Sequence, residues 1–192
     1  MPISTLGPNA LASSSVTRPK IGYAGAVLQV VHGSLGTSFT GTGIAGATDY
    51  WVTVTGLSAT ITPTSTSSRI LITVQMYVGA DTTASGYQQQ FQILRNGTAP
   101  SSLIGSAEGG RAGVTGRINL YANAGLTYSM AVLSSTNLDS PASTSALTYS
   151  IQLKGYSGSP TVYVNRAATF QNGGSNFDGV PLSTITLMEI AG

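Results

Sequence analysis

Apolar and polar residues alternate along much of this chain with a period of two. In Arg69-Ile70-Leu71-Ile72-Thr73-Val74-Gln75-Met76-Tyr77-Val78, the residues Ile70, Ile72, Val74, Met76 and Val78 fall on one side of an extended strand, and Leu71, Thr73, Gln75 and Tyr77 on the other. The same rhythm returns in Leu147-Thr148-Tyr149-Ser150-Ile151-Gln152-Leu153-Lys154. It is the pattern of a sheet with one face buried. Runs rich in β-branched and aromatic residues predict strands over 26–32, 50–55, 57–62, 69–78, 87–95, 116–122, 126–133, 145–153, 160–165 and 183–190. Asn96-Gly97 and Asn123-Ala124-Gly125 are turn signals, since Asn and Gly accept a positive φ cheaply. Gly56 separates two strand signals, as a tight turn or as a bulge.

Helix is disfavoured. The chain holds 24 glycines in 192 residues, and the stretch 6–16 is interrupted by Gly7 and Pro8. Some ten short strands imply an all-β protein, an antiparallel two-sheet sandwich with Greek-key or jelly-roll wiring, or else a barrel. Residues 1–24 hold three prolines and scattered small residues, and read as an N-terminal attachment arm or linker. Residues 25–192 read as the sandwich domain. The segments 33–49 and 166–182, rich in Gly, Ser, Thr and Asn, are expected to be long loops. Tyr50, Trp51, Phe170 and Phe177 would anchor these loops to the body, meet a neighbouring subunit or stack on a glycan.

Composition narrows the function. Eight basic and six acidic residues make up 7% of the chain, against about 25% in an ordinary soluble protein. Solubility therefore rests on Ser, Thr, Asn, Gln and Gly. Without a dense basic cluster, nucleic-acid binding is not expected. The absence of cysteine excludes disulfides and thiolate metal sites. The first ten residues lack a charged leader and a continuous apolar core, so no signal peptide is expected there. No run of 18 apolar residues exists to predict a membrane-spanning helix.

Candidate chemistry is sparse. His32 is the single histidine and has no metal partner or acid near it in sequence. It is expected at a strand end or on the surface. Asp49, Asp81, Glu108, Asp139, Asp178 and Glu189 are widely spread, and their spacing favours no paired-carboxylate site. Asp139-Ser140-Pro141 reads as a rigid turn or loop. Glu189 is expected to face solvent, or to pair with an arginine where a neighbour covers it. Arg95, Arg111, Arg117 and Arg166 would either fix contacts in an assembly or hydrate the surface. The tyrosines 87, 121, 128, 149, 156 and 163 suit sheet faces or subunit contacts. No catalytic, cofactor-binding or metal-ligating residue is assigned, and no cofactor is expected.

An ordered series of segments adds a resemblance. It includes Val27-Leu28-Gln29-Val30-Val31, Val54-Thr55-Gly56-Leu57-Ser58-Ala59-Thr60-Ile61-Thr62-Pro63 and Ser68-Arg69-Ile70-Leu71-Ile72. It continues through Phe91-Gln92-Ile93-Leu94-Arg95-Asn96-Gly97-Thr98, Leu138-Asp139-Ser140-Pro141-Ala142, Thr161-Val162-Tyr163-Val164-Asn165-Arg166 and Ser183-Thr184-Ile185-Thr186-Leu187-Met188-Glu189-Ile190. Over residues 26–191 the series resembles a β-rich module of tailed bacteriophages, especially phages of aquatic bacteria, found in tail fibre and other virion structural proteins. The resemblance implies a virion structural role in a homotrimeric appendage, partnered by other phage tail or capsid proteins. It carries over no catalytic residue. The chain departs from a long fibre in lacking a repetitive shaft, so a short tail fibre or fibre tip is the expectation, with host attachment through multivalent contact and a host surface glycan as a candidate ligand. The alternative is a capsid decoration or cement protein.

Overall fold

A computed structural model describes residues 23–43, 51–79, 87–120, 129–155, 161–169 and 179–192. The protein is all-β. Among the described residues ten strands alternate with turns: β1 (Val27–Leu35), β2 (Phe39–Thr42), β3 (Trp51–Ile61), β4 (Arg69–Gly79), β5 (Tyr87–Arg95), β6 (Gly116–Leu120), β7 (Met130–Asp139), β8 (Leu147–Lys154), β9 (Thr161–Val164) and β10 (Ser183–Ile190). The sole helical element among the described residues is a single 3₁₀ turn at Ser101–Leu103.

The strands form two antiparallel sheets. One has six strands, ordered β1-β10-β4-β7, with the short pair β9-β2 continuing past the end of β10. The other has four, ordered β3-β8-β5-β6. Successive main strands mostly swap sheets: β1, β4, β7 and β10 in one, β3, β5, β6 and β8 in the other. This nesting of first strand with last, third with eighth, fourth with seventh and fifth with sixth is jelly-roll wiring, one of the topologies open from the sequence.

The inner faces supply the core. Ile70, Ile72, Val74, Met76 and Val78 of β4 and Ile185 and Leu187 of β10 face Val54, Leu57 and Ile61 of β3, Phe91 and Ile93 of β5, and Tyr149, Ile151 and Leu153 of β8; all are buried. The two sheets close at one corner where β1 meets β3. A Cβ at Gly33 would lie 2.2 Å from the backbone oxygen of Ser58, so this approach admits only glycine.

Several local expectations change. The segments 50–55 and 57–62 are one strand, β3; Gly56, at φ +90°, sits in an irregular bulge that shifts the register between Thr53 and Ser58. The segment 33–49 is not all loop. β1 runs on to Leu35, and β2 adds a strand whose Phe39 packs on the core. β7 lies further along the chain than 126–133, because its pairing with β4 extends from Met130 to Asp139. Asn96 (φ 50°) and Gly97 (φ 83°) do form a tight two-residue turn, closed by mutual backbone hydrogen bonds between Arg95 and Thr98. The arm at 1–22, the turn at 123–125, and Tyr50, Phe170 and Phe177 lie outside the described residues.

Candidate functional site

Two buried carboxylates, Glu189 and Asp139, flank Ile70 in one row at the same end of the six-stranded sheet, and the burial of neither follows from the local sequence. Glu189 is in phase with Ile185 and Leu187 and points inward, fully buried, rather than toward solvent or an arginine. Its Oε1 accepts from the Thr64 backbone NH (2.7 Å), Thr64 Oγ1 (2.6 Å) and Ser68 Oγ (2.7 Å). Its Oε2 accepts from Gln29 Nε2 (2.6 Å). The carboxylate thus pins the β3–β4 connection to β10 and β1. Burial alone would raise its pKa, but the hydrogen bonds from Thr64, Gln29 and Ser68 outweigh burial and hold it below the ordinary glutamate value.

Asp139 is the buried last residue of β7, and Ser140 and Pro141 begin the loop that follows it. It accepts from Arg95 Nη1 (2.6 Å), Ser102 Oγ (2.7 Å) and the Tyr149 hydroxyl (2.8 Å). Burial, and then the bond to Asp139, push the Tyr149 phenol well above its ordinary range. The cluster ties β7, β5 and β8 together across the two sheets. Neither carboxylate is open to a substrate, and both serve the fold.

Asn165 is a third internal staple that sequence reading missed. It follows β9 at φ +57°, fully buried. Its Nδ2 donates to the carbonyls of Leu35 (2.7 Å) and Thr37 (3.1 Å), and its Oδ1 accepts from Ser183 Oγ (2.5 Å). It joins the break between β1 and β2 to the break between β9 and β10. The Asn-Arg pair after an alternating run was the available signal, since Asn tolerates the left-handed region.

Asp49, Asp81, Asp178, Tyr121, Tyr128 and Tyr156 lie outside the described residues. His32 is exposed in the middle of β1, with Nδ1 2.9 Å from Thr186 Oγ1. Among the described residues no group of three or more His, Cys, Asp or Glu is placed to hold a metal ion. The four arginines part company. Arg95 belongs to the Asp139 cluster. Arg166 lies over the Tyr163 ring, 5.4 Å from its centroid, and donates to the Ala167 carbonyl (3.0 Å). Arg111 and Arg117 line the same cavity on the four-stranded sheet.

The outer faces of the two sheets differ in chemistry. Across the six-stranded sheet, Val30 opposes Met188, Met188 opposes Leu71, and Leu71 opposes Leu138. This makes one apolar row over four strands, with Val30 56% and Leu138 40% exposed. The next row is polar: His32, Thr186, Thr73 and Thr136. Every large hydrophobic side chain exposed among the described residues belongs to this sheet or to the segments entering it: Tyr23, Val27, Val30, Met130, Val132, Leu138, Val180 and Leu182. The four-stranded sheet shows Trp51, Lys154, Gln90 and Arg117 in the corresponding outward row. Among the described residues no helix is long and apolar enough to cross a membrane.

No family model matches the chain. No curated protein matches it either. Among solved structures it is similar to a structure of infectious bursal disease virus, Gx strain, at 13% identity and a TM-score of 0.39. It is likewise similar to the VP2 subviral particle of infectious bursal disease virus, at 12% identity and a TM-score of 0.32. In both, the match covers 100% of this chain and 43% of the other, so this chain spans less than half the length of either. Likeness at that level bears on neither function nor partners.

Proposed function

We propose that this chain is a virion structural protein of a tailed bacteriophage, a short tail fibre or fibre-tip component that works as a homotrimer and contributes to host attachment. The observation that carries the reading is the open apolar row Val30–Met188–Leu71–Leu138 on the outer face of the six-stranded sheet. A contiguous exposed apolar surface on a compact domain marks a place where another surface belongs. In a symmetric assembly the neighbour is a further copy of the same chain. The low charge suits close packing of copies, because few ions must be desolvated at the contact. The resemblance over residues 26–191 supplies the tail location, and the reading assigns the chain no enzymatic task.

A capsid decoration or cement protein is the second reading, favoured by the jelly-roll strand order, an architecture of viral capsid domains among others. Imaging of intact particles separates the two. Three copies at each tail appendage is the expected result. A regular lattice of copies over the capsid would select the second reading, and absence from particles would overturn both.

A further inference from the structure

We propose that the outer face of the four-stranded sheet carries a binding site for an acidic saccharide. The site is the groove between β8, β5, β6 and the hairpin at residues 108–111. It deepens the attachment reading and rests on it for the origin of the ligand, but not for the chemistry of the site.

The chain has eight lysines and arginines, and three of them, Arg111, Arg117 and Lys154, line this one cavity. Strand register brings them together. Lys154 on β8 opposes Gln90 on β5, and Gln90 opposes Arg117 on β6. Their sequence neighbours Leu153, Phe91 and Ile118 belong to or pack on the core, so this row points outward. Two strand spacings separate Lys154 from Arg117, about 10 Å, a gap that their long side chains span. Trp51 ends the row opposite Lys154, whose ammonium lies 5.6 Å from the indole centroid and is steered by it.

The wall over this floor is built rather than loose. Glu108 and Arg111 exchange backbone hydrogen bonds of 3.1 and 2.9 Å around Gly109 (φ 55°) and Gly110 (φ 77°). The base of the hairpin is held by Gly105 N to the Val114 carbonyl (3.1 Å) and by Gln92 Nε2 to the Gly113 carbonyl (2.8 Å). Arg111 is therefore carried above the floor by a tied turn.

Three like charges around one concave space favour an anion, and none of the described lining residues is acidic. The cavity, about 480 Å³, is far larger than a lone phosphate needs and falls within the roughly 300–1,000 Å³ of small-ligand sites. Its remaining lining suits a sugar. The Gln90 amide offers a donor and an acceptor to hydroxyls, and Ala112 and Val114 offer a short apolar wall. Gln88 opposite Asn119 extends the amide surface by one row. A nucleic-acid strand would call for a basic track along several phosphates, whereas these cations line a single cavity. The ligand's charge would come from a sugar carboxylate or a sugar phosphate.

The test is titration of the full chain, followed by calorimetry or NMR, with trigalacturonate, glucose 6-phosphate, neutral maltotriose and a ten-nucleotide oligo-dT. At least one acidic sugar is expected to bind about tenfold or more tighter than maltotriose, and to weaken as salt is raised. Whichever acidic sugar binds identifies carboxylate or phosphate as the source. Arg111→Gln and Arg117→Gln should each weaken that binding about tenfold. Both side chains are exposed, so the thermal melt should stay unchanged. Equal affinity for maltotriose, indifference to both arginine variants, or tighter binding of oligo-dT would overturn the proposal. Particle imaging fails separately: a chain absent from virions that still binds the acidic sugar keeps the site and loses the attachment role.

Discussion

Replacing Glu189 with Gln removes one charge and almost no volume, and so isolates what the buried carboxylate does. Four donors converge on it: the Thr64 NH, Thr64 Oγ1 and Ser68 Oγ on one oxygen, and Gln29 Nε2 on the other. A glutamine can turn its carbonyl to the first three, but its NH₂ then meets the Gln29 donor. Gln29 can rotate its amide to relieve this only by surrendering its bond to the Thr62 carbonyl (2.7 Å). Hydrogen bonds to a charged group contribute about 1.5–3 kcal/mol each and neutral ones about 0.5–1.5. Four charged bonds become at most three neutral ones, a gross loss of about 6 kcal/mol, offset by several kcal/mol from no longer burying an ion. The net expectation is a destabilisation of about 2 kcal/mol at pH 7.

The pH dependence follows from the depressed pKa of Glu189. Its stabilising contribution is present above the unfolded-state value near 4.5 and is lost as pH falls through the lower folded-state value. Urea unfolding at a series of pH values should therefore show wild type and Glu189→Gln well apart at pH 7 and converging in acid. A variant within about 0.5 kcal/mol of wild type at pH 7, or a gap that does not change with pH, would refute the account of Glu189 as a charged staple.

Three further outcomes are expected. Asp139→Ala strands the buried Tyr149 hydroxyl and breaks the bond to Arg95, and should cost about 3–4 kcal/mol by chemical denaturation; Tyr149→Phe leaves Asp139 with two of its donors and should cost about 1–2. Gly33→Ala drives a methyl into the Ser58 carbonyl and should cost about 2 kcal/mol or more, read as a fall in melting temperature; an unchanged melt would show that β1 and β3 are not so close. The double variant Val30→Asp, Leu138→Asp places charge on the exposed apolar row. It should abolish self-association in sedimentation while leaving the monomer folded, and unchanged association would move the subunit contact elsewhere.

The alternation of β4 and β8 was legible because each strand buries one face fully and leaves the other wet or half-covered. Core membership of Ile70 through Val78 and Leu147 through Leu153 followed from that rhythm. Glu189 carried the same signal, standing two residues from Leu187 and four from Ile185, yet its charge argued against burial. The donors that make burial tolerable arrive from Thr64, Ser68 and Gln29, more than a hundred residues away. Asp139 hides its burial for the same reason. Its proline neighbourhood is local information, whereas Arg95, Ser102 and Tyr149 meet it only after the sheets pack.

The outer faces were the least accessible from sequence. Val30, Met188, Leu71 and Leu138 form a row because four strands from distant parts of the chain take one register, and no local window contains more than one of them. Arg111, Arg117 and Lys154 make a cationic groove by the same means. What the amino-acid order determined on its own was the period of two, hence extended strands, an all-β class and the identity of most core residues; these depend on near neighbours and on which side of a strand each residue takes. Strand order, the jelly-roll nesting, the partners of the buried carboxylates and the contrast between an apolar and a cationic face were decided only by tertiary structure, because each is a relation across strands that pairing alone creates.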